Sequence, residues 1–226
     1  TATLIHRGPD SGGSVVVGPV GLGARRLSII DLAGGDQPVA NEDETCWVVQ
    51  NGEIYNHLEL RAGLESAGHR YRSHGDTETL VHLYEEHGDT FVEHLNGQFA
   101  FALWDGRRQR LLLARDRVGI RPLFYTWHRG RLAFASEIKA LFTLPGIPRR
   151  LDAGALASIF SYWSTIPPAS VFEGIAELPP GHRMAVEDDR VELNCWWDWS
   201  FPGGRSLETA SEDRCAEELR DLLVDA

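Results

Sequence analysis

Val48-Val49-Gln50-Asn51-Gly52-Glu53-Ile54-Tyr55-Asn56 carries an apolar strand straight into Asn-Gly, then into a carboxylate and a polar aromatic. A strand end of this composition can aim one backbone N–H and one side-chain amide at a single point, the geometry that stabilises an oxyanion in acyl transfer. By itself Asn-Gly means a tight turn, because Gly and, less readily, Asn accept positive φ. The strand is therefore expected to run from Thr45 to Gln50 and to end at that turn.

The surrounding blocks change the reading. In chain order they are His6-Arg7-Gly8-Pro9-Asp10, Arg25-Arg26-Leu27-Ser28-Ile29-Ile30-Asp31, the Asn-Gly-Glu segment, Gly75-Asp76-Thr77-Glu78, Leu95 to Asp105, Ala114-Arg115-Asp116-Arg117-Val118-Gly119-Ile120-Arg121-Pro122-Leu123 and Phe134-Ala135-Ser136-Glu137-Ile138-Lys139. Together they resemble the glutamine-hydrolysing half of the asparagine synthetases, a class II glutamine amidotransferase module. The resemblance covers residues 1–200. It implies an α+β fold, the four-layer α-β-β-α sandwich of the N-terminal nucleophile hydrolases.

Composition sets outer bounds. A chain of 226 residues suffices for one substantial domain and the start of another. With 22 Lys plus Arg against 33 Asp plus Glu the net charge is −11, which disfavours nucleic acid or an anionic membrane as a partner. Cys46, Cys195 and Cys215 show neither CxxC pairing nor metal spacing, and their odd number suggests reduced thiols in a cytoplasm. No signal peptide or membrane-spanning apolar run is read.

Ser14 to Asp31 is strand-like, broken at Gly18-Pro19. Leu58 to Ala67 reads as a helix stopped by Gly68, and Asp76 sits where an N-cap belongs before a helix from Thr77 to His87 that Gly88 closes. Short strands follow over Gln98–Asp105, Gln109–Arg115, Leu123–Trp127 and Arg131–Ala135. Phe99 to Trp104 is apolar at every position, so that strand must be covered on both faces. Arg183 to Trp199 reads as a last hairpin around Asp188-Asp189, residues 201–206 as a linker, and 207–226 as a helix with Cys215, Leu219, Leu222, Leu223 and Ala226 on one face. In the family that helix opens an ATP-using synthetase domain.

Class II amidotransferases attack the glutamine side-chain amide with an N-terminal cysteine whose own α-amino group, titrating near ~8, moves the proton. The family's opening Cys-Gly-Ile-Ala-Gly strand would precede His6 and is not found here, so the sequence reads as a fragment cut at both ends, catalytically inert by itself but retaining weak glutamine binding. Thr1 is rejected as a substitute nucleophile because Thr1 to Ile5 reads as a helix tail. Cys46, Cys195 and Cys215 read as buried small hydrophobes.

The resemblance assigns Arg26 to the α-carboxylate of glutamine, where a guanidinium fork matches two oxygens, with Leu27 and Ile29 lending backbone contacts. Asp76 and Glu53 fall to the α-ammonium, and Asn51 with the Gly52 N–H to the oxyanion. Without the family, Arg26 would be a surface arginine, Asp76 a helix cap and Glu53 a solvated turn carboxylate. His69, His74, His82 and His87 read as exposed helix and loop histidines, so no metal is expected. Asp116 and Arg115 read as an internal ion pair or turn, and Trp196, Trp197 and Trp199 as packing near a domain junction.

The activity implied is glutamine hydrolysis, with ammonia passed to a downstream synthetase domain of the same polypeptide that uses ATP and Mg2+ to amidate aspartate. No cofactor is expected in residues 1–200, and a homodimer is carried over by analogy. Two rival expectations are the amidotransferase half of a related amide-forming enzyme, such as a β-lactam synthetase, and a glutamine-binding regulatory module without catalysis.

Overall fold

The computed structural model describes residues 1–32, 34–188, 190–201 and 211–225. Strands β1 (Ser11–Val17) and β2 (Val20–Arg26) form a hairpin around Gly18-Pro19. Next come the two-residue β3 (Val39–Ala40), β4 (Cys46–Ile54), α1 (His57–Ala67) and α2 (Thr77–His87). After α2 the chain forms β5 (Gly97–Asp105), β6 (Arg110–Arg115), β7 (Phe124–His128), β8 (Arg131–Ala135) and the short α3 (Ile138–Leu141). It ends with α4 (Ala153–Tyr162), β9 (Ala176–Glu177), β10 (His182–Glu187), β11 (Arg190–Cys195) and α5 (Glu212–Asp225).

The central sheet has six strands in the order β11-β10-β6-β5-β4-β3, and every pairing in it is antiparallel. Successive side chains of a strand face opposite ways, and here both ways are apolar. Cys46, Val48, Ile54, Phe99, Phe101, Leu103 and Leu112 pack beneath α1 and α2 against Leu64, Leu80, Val81 and Tyr84. Val49, Ala100, Ala102, Trp104, Leu111 and Leu113 pack the other way, against Leu22 and Val15 of the β1-β2 hairpin and Tyr125, Leu132 and Phe134 of the β8-β7-β9 sheet. Leu141 of α3 then closes the far side of β7 and β8 with Ile147 and Ile175.

Four layers result, helix on sheet on sheet on helix, as expected from a strand with no polar face. Each large side chain buried here is worth about 1.5–3 kcal/mol over leaving it in water, so β5, buried at nearly every position, anchors the sandwich.

Two expectations need correction at this level. Strand β4 does not end at an Asn-Gly turn: it continues through Ile54, with Asn51 opposite Ala100 and Gly52 opposite Phe99. Gly52 has φ +130°, and a Cβ there would lie 1.9 Å from the Gln98 carbonyl oxygen, so glycine is required by the close approach of β5. The dipeptide signal for a turn was overruled by pairing with a long apolar neighbour. The second correction concerns Cys195 and Cys215, which are exposed, while Cys46 is buried as expected.

Helix α1 ends at Gly68 in the left-handed conformation, as read. The hairpin β10-β11 turns at Asp188, with Asp189 outside the described residues. The expected linker lies outside them except for Phe201, and so does Ala226. Leu219, Leu222 and Leu223 of α5 are exposed. Among the described residues no helix is long and apolar enough to cross a membrane.

Candidate active site

Among the described residues, no strand lies beside the outer edge of β4 beyond β3. Val39 and Ala40 pair with Val48 and Trp47, and the ladder stops there. The outward amides of β4 find side chains instead. Gln50 N–H donates to Gln37 Oε1 at 2.7 Å, and Ile54 N–H donates to Asp76 Oδ2 at 2.8 Å. In an antiparallel strand alternate residues direct their amides to the same side. Gly52, midway between these two, therefore turns its N–H to the same open edge.

Asn51 stands beside it. Its Nδ2 is buried and has no hydrogen-bond partner among the described residues. A buried amide N–H left unpaired costs about 1–3 kcal/mol, so such a group calls for a ligand. Asn51 Nδ2 and Gly52 N–H are two adjacent donors of the kind an oxyanion needs.

Both face a cavity of about 940 Å3, and Arg26, Leu27, Ile29, Glu53, Asp76 and Arg121 share its wall. All seven site residues expected from the sequence thus meet in one space. Arg26, at the end of β2, is nearly buried, and its Nη2 donates to the carbonyls of Ile30 and Asp31 at 2.6 and 2.7 Å. It is no loose surface arginine. Its Nη1 lies 3.5 Å from Asp36 Oδ1, and the guanidinium holds the 27–31 segment folded over the cavity.

Asp76 occupies the position before α2, yet its side chain makes no capping bond; it accepts from Gln50 Nε2 at 3.0 Å and from Ile54 N–H. The capping expectation fails because the Asp76 carboxylate is claimed by two buried donors of β4, Gln50 Nε2 and the Ile54 N–H. Glu53 feels the same wall. Burial, and after it the Asp76 carboxylate, push its pKa up to about 7, against the opposing pull of Arg121 and Arg26.

Gln37, Gln50 and Arg121 were not singled out from the sequence. Arg121 lay within a quoted block, but nothing local tells that its charge acts on Glu53 across the cavity; Gln37 and Gln50 act through a sheet edge that only the fold reveals. Cys46 lies outside the cavity, and burial, then the Asp105 charge, push its thiol up to about 12, which excludes a thiolate there. Arg115 pairs with Glu177 at 2.8 Å instead of with Asp116, whose carboxylate accepts from the amides of Phe99, Val118, Ile120 and Arg121. Trp196 packs on Phe99, with ring centroids 6.2 Å apart. His82, expected to be exposed, is fully buried.

The cavity beside the open edge of β4 thus gathers the Asn51 amide, the Gly52 backbone, one buried arginine and two carboxylates in a single wall. Residues 1–197 match the model of the glutamine amidotransferase domain, and this chain belongs to that family.

The chain is 39% identical over its whole length to asparagine synthetase [glutamine-hydrolyzing] 3 of Bacillus subtilis, of which it covers 37%. It is 36% identical to amidase chyE of Penicillium rubens over 98% of this chain and 32% of that one. It spans about a third of the length of such relatives. Among solved structures, the glutamine phosphoribosylpyrophosphate amidotransferase of B. subtilis, complexed with ADP and GMP, aligns over 78% of this chain and 35% of its own, with TM-score 0.53 and 19% identity. The fold is that of the N-terminal nucleophile hydrolases.

Proposed function

We propose that this chain is the glutamine-hydrolysing portion of a longer amide-forming enzyme, an asparagine synthetase, and that the cavity beside β4 holds glutamine. The observation that carries the reading is the buried, unpartnered Asn51 Nδ2 next to the outward Gly52 N–H. Arg26 takes the α-carboxylate, Asp76 and Glu53 take the α-ammonium, and Leu27 and Ile29 line the approach through their backbone. The side-chain carboxamide then lies with its oxygen between Asn51 and Gly52.

The nucleophile this chemistry calls for is a cysteine with a free α-amino group, ahead of the His6 block. Its thiolate adds to the carboxamide carbon, the oxyanion draws on the two donors, and ammonia leaves with a proton from the α-amino group. Water then hydrolyses the thioester to glutamate. In this reading a downstream domain of the same polypeptide, with ATP and Mg2+, consumes the ammonia in a cytoplasmic setting, and the chain pairs as a homodimer.

Amide formation on an acceptor other than aspartate is the second reading, and the likeness to amidase chyE favours it. Product analysis of the full-length protein supplied with glutamine, ATP and aspartate separates the two. For the glutaminase step itself, glutamate release by the full-length protein is measured in wild type and Asn51→Ala. Removing one oxyanion donor should lower kcat by about 10²–10³-fold. A folded full-length protein that releases no glutamate, or an Asn51→Ala variant of undiminished kcat, overturns the reading.

A further inference from the structure

A second cluster of functional side chains lies away from the glutamine cavity, under the outer half of α2. His82 and Glu85 project from α2, His69 follows the end of α1, and Glu42 sits in the turn between β3 and β4. One donor atom from each lies within 4.8 Å of all the others. None of the four lines the cavity beside β4.

The individual distances are instructive. His82 Nδ1 stands 3.5 Å from Glu42 Oε2 and 3.5 Å from Glu85 Oε2, and His69 Nδ1 stands 3.7 Å from Glu85 Oε2 and 3.9 Å from Glu42 Oε1. These are too long for N–H···O hydrogen bonds, which close to about 2.7–3.2 Å. Two ligands on a tetrahedral zinc with bonds of about 2.0–2.2 Å stand about 3.4 Å apart, close to what is seen. The His82 ring is fully buried, and neither of its nitrogens has a hydrogen-bond partner among the described residues. A buried imidazole facing two carboxylates without bonding to either is placed to share a cation with them.

The outer contacts agree. His69 Nε2 lies 3.0 Å from Glu86 Oε1, and His82 Nε2 lies 3.7 Å from Glu78 Oε1, so each ring backs onto a carboxylate. Metal-bound histidines are typically oriented this way. Asn41 Nδ2 donates to Glu85 Oε1 at 2.8 Å, and the Arg70 N–H to Glu42 Oε1 at 2.7 Å, which fixes the two acids.

We propose that Glu42, His69, His82 and Glu85 form a structural site for a divalent transition-metal ion, zinc by its donor set, which clamps α2 to the end of α1 and to the β3–β4 turn. Two imidazoles and two carboxylates suit zinc better than a hard cation, and four protein ligands describe a closed site with no position left for catalysis. Sequence spacing hides it because the ligands come from three separate segments. The competing occupant of the cage is a proton: although burial opposes charge on His82, the carboxylates of Glu78, Glu85 and Glu42 outweigh it and raise its pKa to about 9.

The test uses the full-length protein, stripped with a chelator and titrated with zinc chloride by calorimetry, with metal content read by mass spectrometry after dialysis. Wild type should bind one equivalent more than His69→Ala or Glu42→Gln, which lie at the rim and leave the buried His82 in place. Glu86→Gln should weaken that equivalent about 10–100-fold. Zinc should also raise the melting temperature of wild type and leave that of His69→Ala unchanged. The proposal is overturned if the equivalent survives in the Glu42→Gln, His69→Ala double variant, or if His94→Ala abolishes it. The latter would place zinc at the exposed His87 and His94 rings, stacked 4.3 Å apart. Absence of binding by the folded wild type also overturns it, and leaves the cage to the proton on His82.

Discussion

At the scale of single residues, the proposed oxyanion site divides one task between the Asn51 side chain and the Gly52 backbone, and the two respond differently to change. Gly52→Ala puts a Cβ within 1.9 Å of the Gln98 carbonyl at a φ of +130°, with backbone as the obstacle. We expect a loss above about 3 kcal/mol in urea unfolding, or no folded protein. Asp76→Asn keeps the shape but replaces a carboxylate that accepts two buried N–H bonds; a loss of about 1–3 kcal/mol is expected, with glutamine binding weakened in calorimetry. Glu53 sets a pH dependence. Its pKa is near 4.5 in the unfolded chain and about 7 when folded, so between these values the folded state retains a proton that the unfolded state gives up. Stability of the ligand-free protein should thus fall as pH rises from about 4.5 to about 7, and thermal unfolding of Glu53→Gln should lose that component. Arg26, Asp76 and Glu53 were legible only because ordered blocks resembled a family; their residue types alone suggested a surface arginine, a cap and a solvated acid. The actual bonds of Asp76 were not legible, since they depend on amides that strand pairing leaves bare.

Among the elements, β5 was read most securely. An apolar run with no polar face demanded two covers, and Phe99, Phe101 and Leu103 meet helices while Ala100, Ala102 and Trp104 meet the second layer. Phe101, stacked near Phe91 and Phe99, should cost about 3–5 kcal/mol as Phe101→Ala, read by denaturant midpoint with an unchanged slope. Helices α1 and α2 followed their glycine stops closely, because a glycine at positive φ ends a helix locally: Gly68 is left-handed, and Gly88 has φ +55° with ψ −144°. The end of β4 was misread for the complementary reason: Asn-Gly is a local turn signal, and nine residues of pairing with β5 are not local. His82 was misplaced on similar grounds. Its position on α2 gives no hint that the β3–β4 turn and the residue after α1 close over it.

For the whole molecule, the layer order was implied by resemblance and by the two-faced strands together, and neither helix periodicity nor composition would have named it. If the cavity holds glutamine, the amino acid at a hundredfold excess over its Kd should add about 2.7 kcal/mol to the unfolding free energy; the rise in melting temperature that follows should vanish in Arg26→Ala. Strand β3, only two residues long, has a wider consequence. The outward amides of β4 are ordinary sheet-forming groups, spared from a neighbour by the brevity of that ladder. An extended peptide laid antiparallel along residues 50–54 would have to displace the Gln37 and Asp76 side chains from the Gln50 and Ile54 amides, and would then claim the Gly52 N–H as well. If the cavity holds glutamine, strand mimics that bear no likeness to an amino acid should therefore compete with it for that N–H, a vulnerability set by main-chain geometry alone.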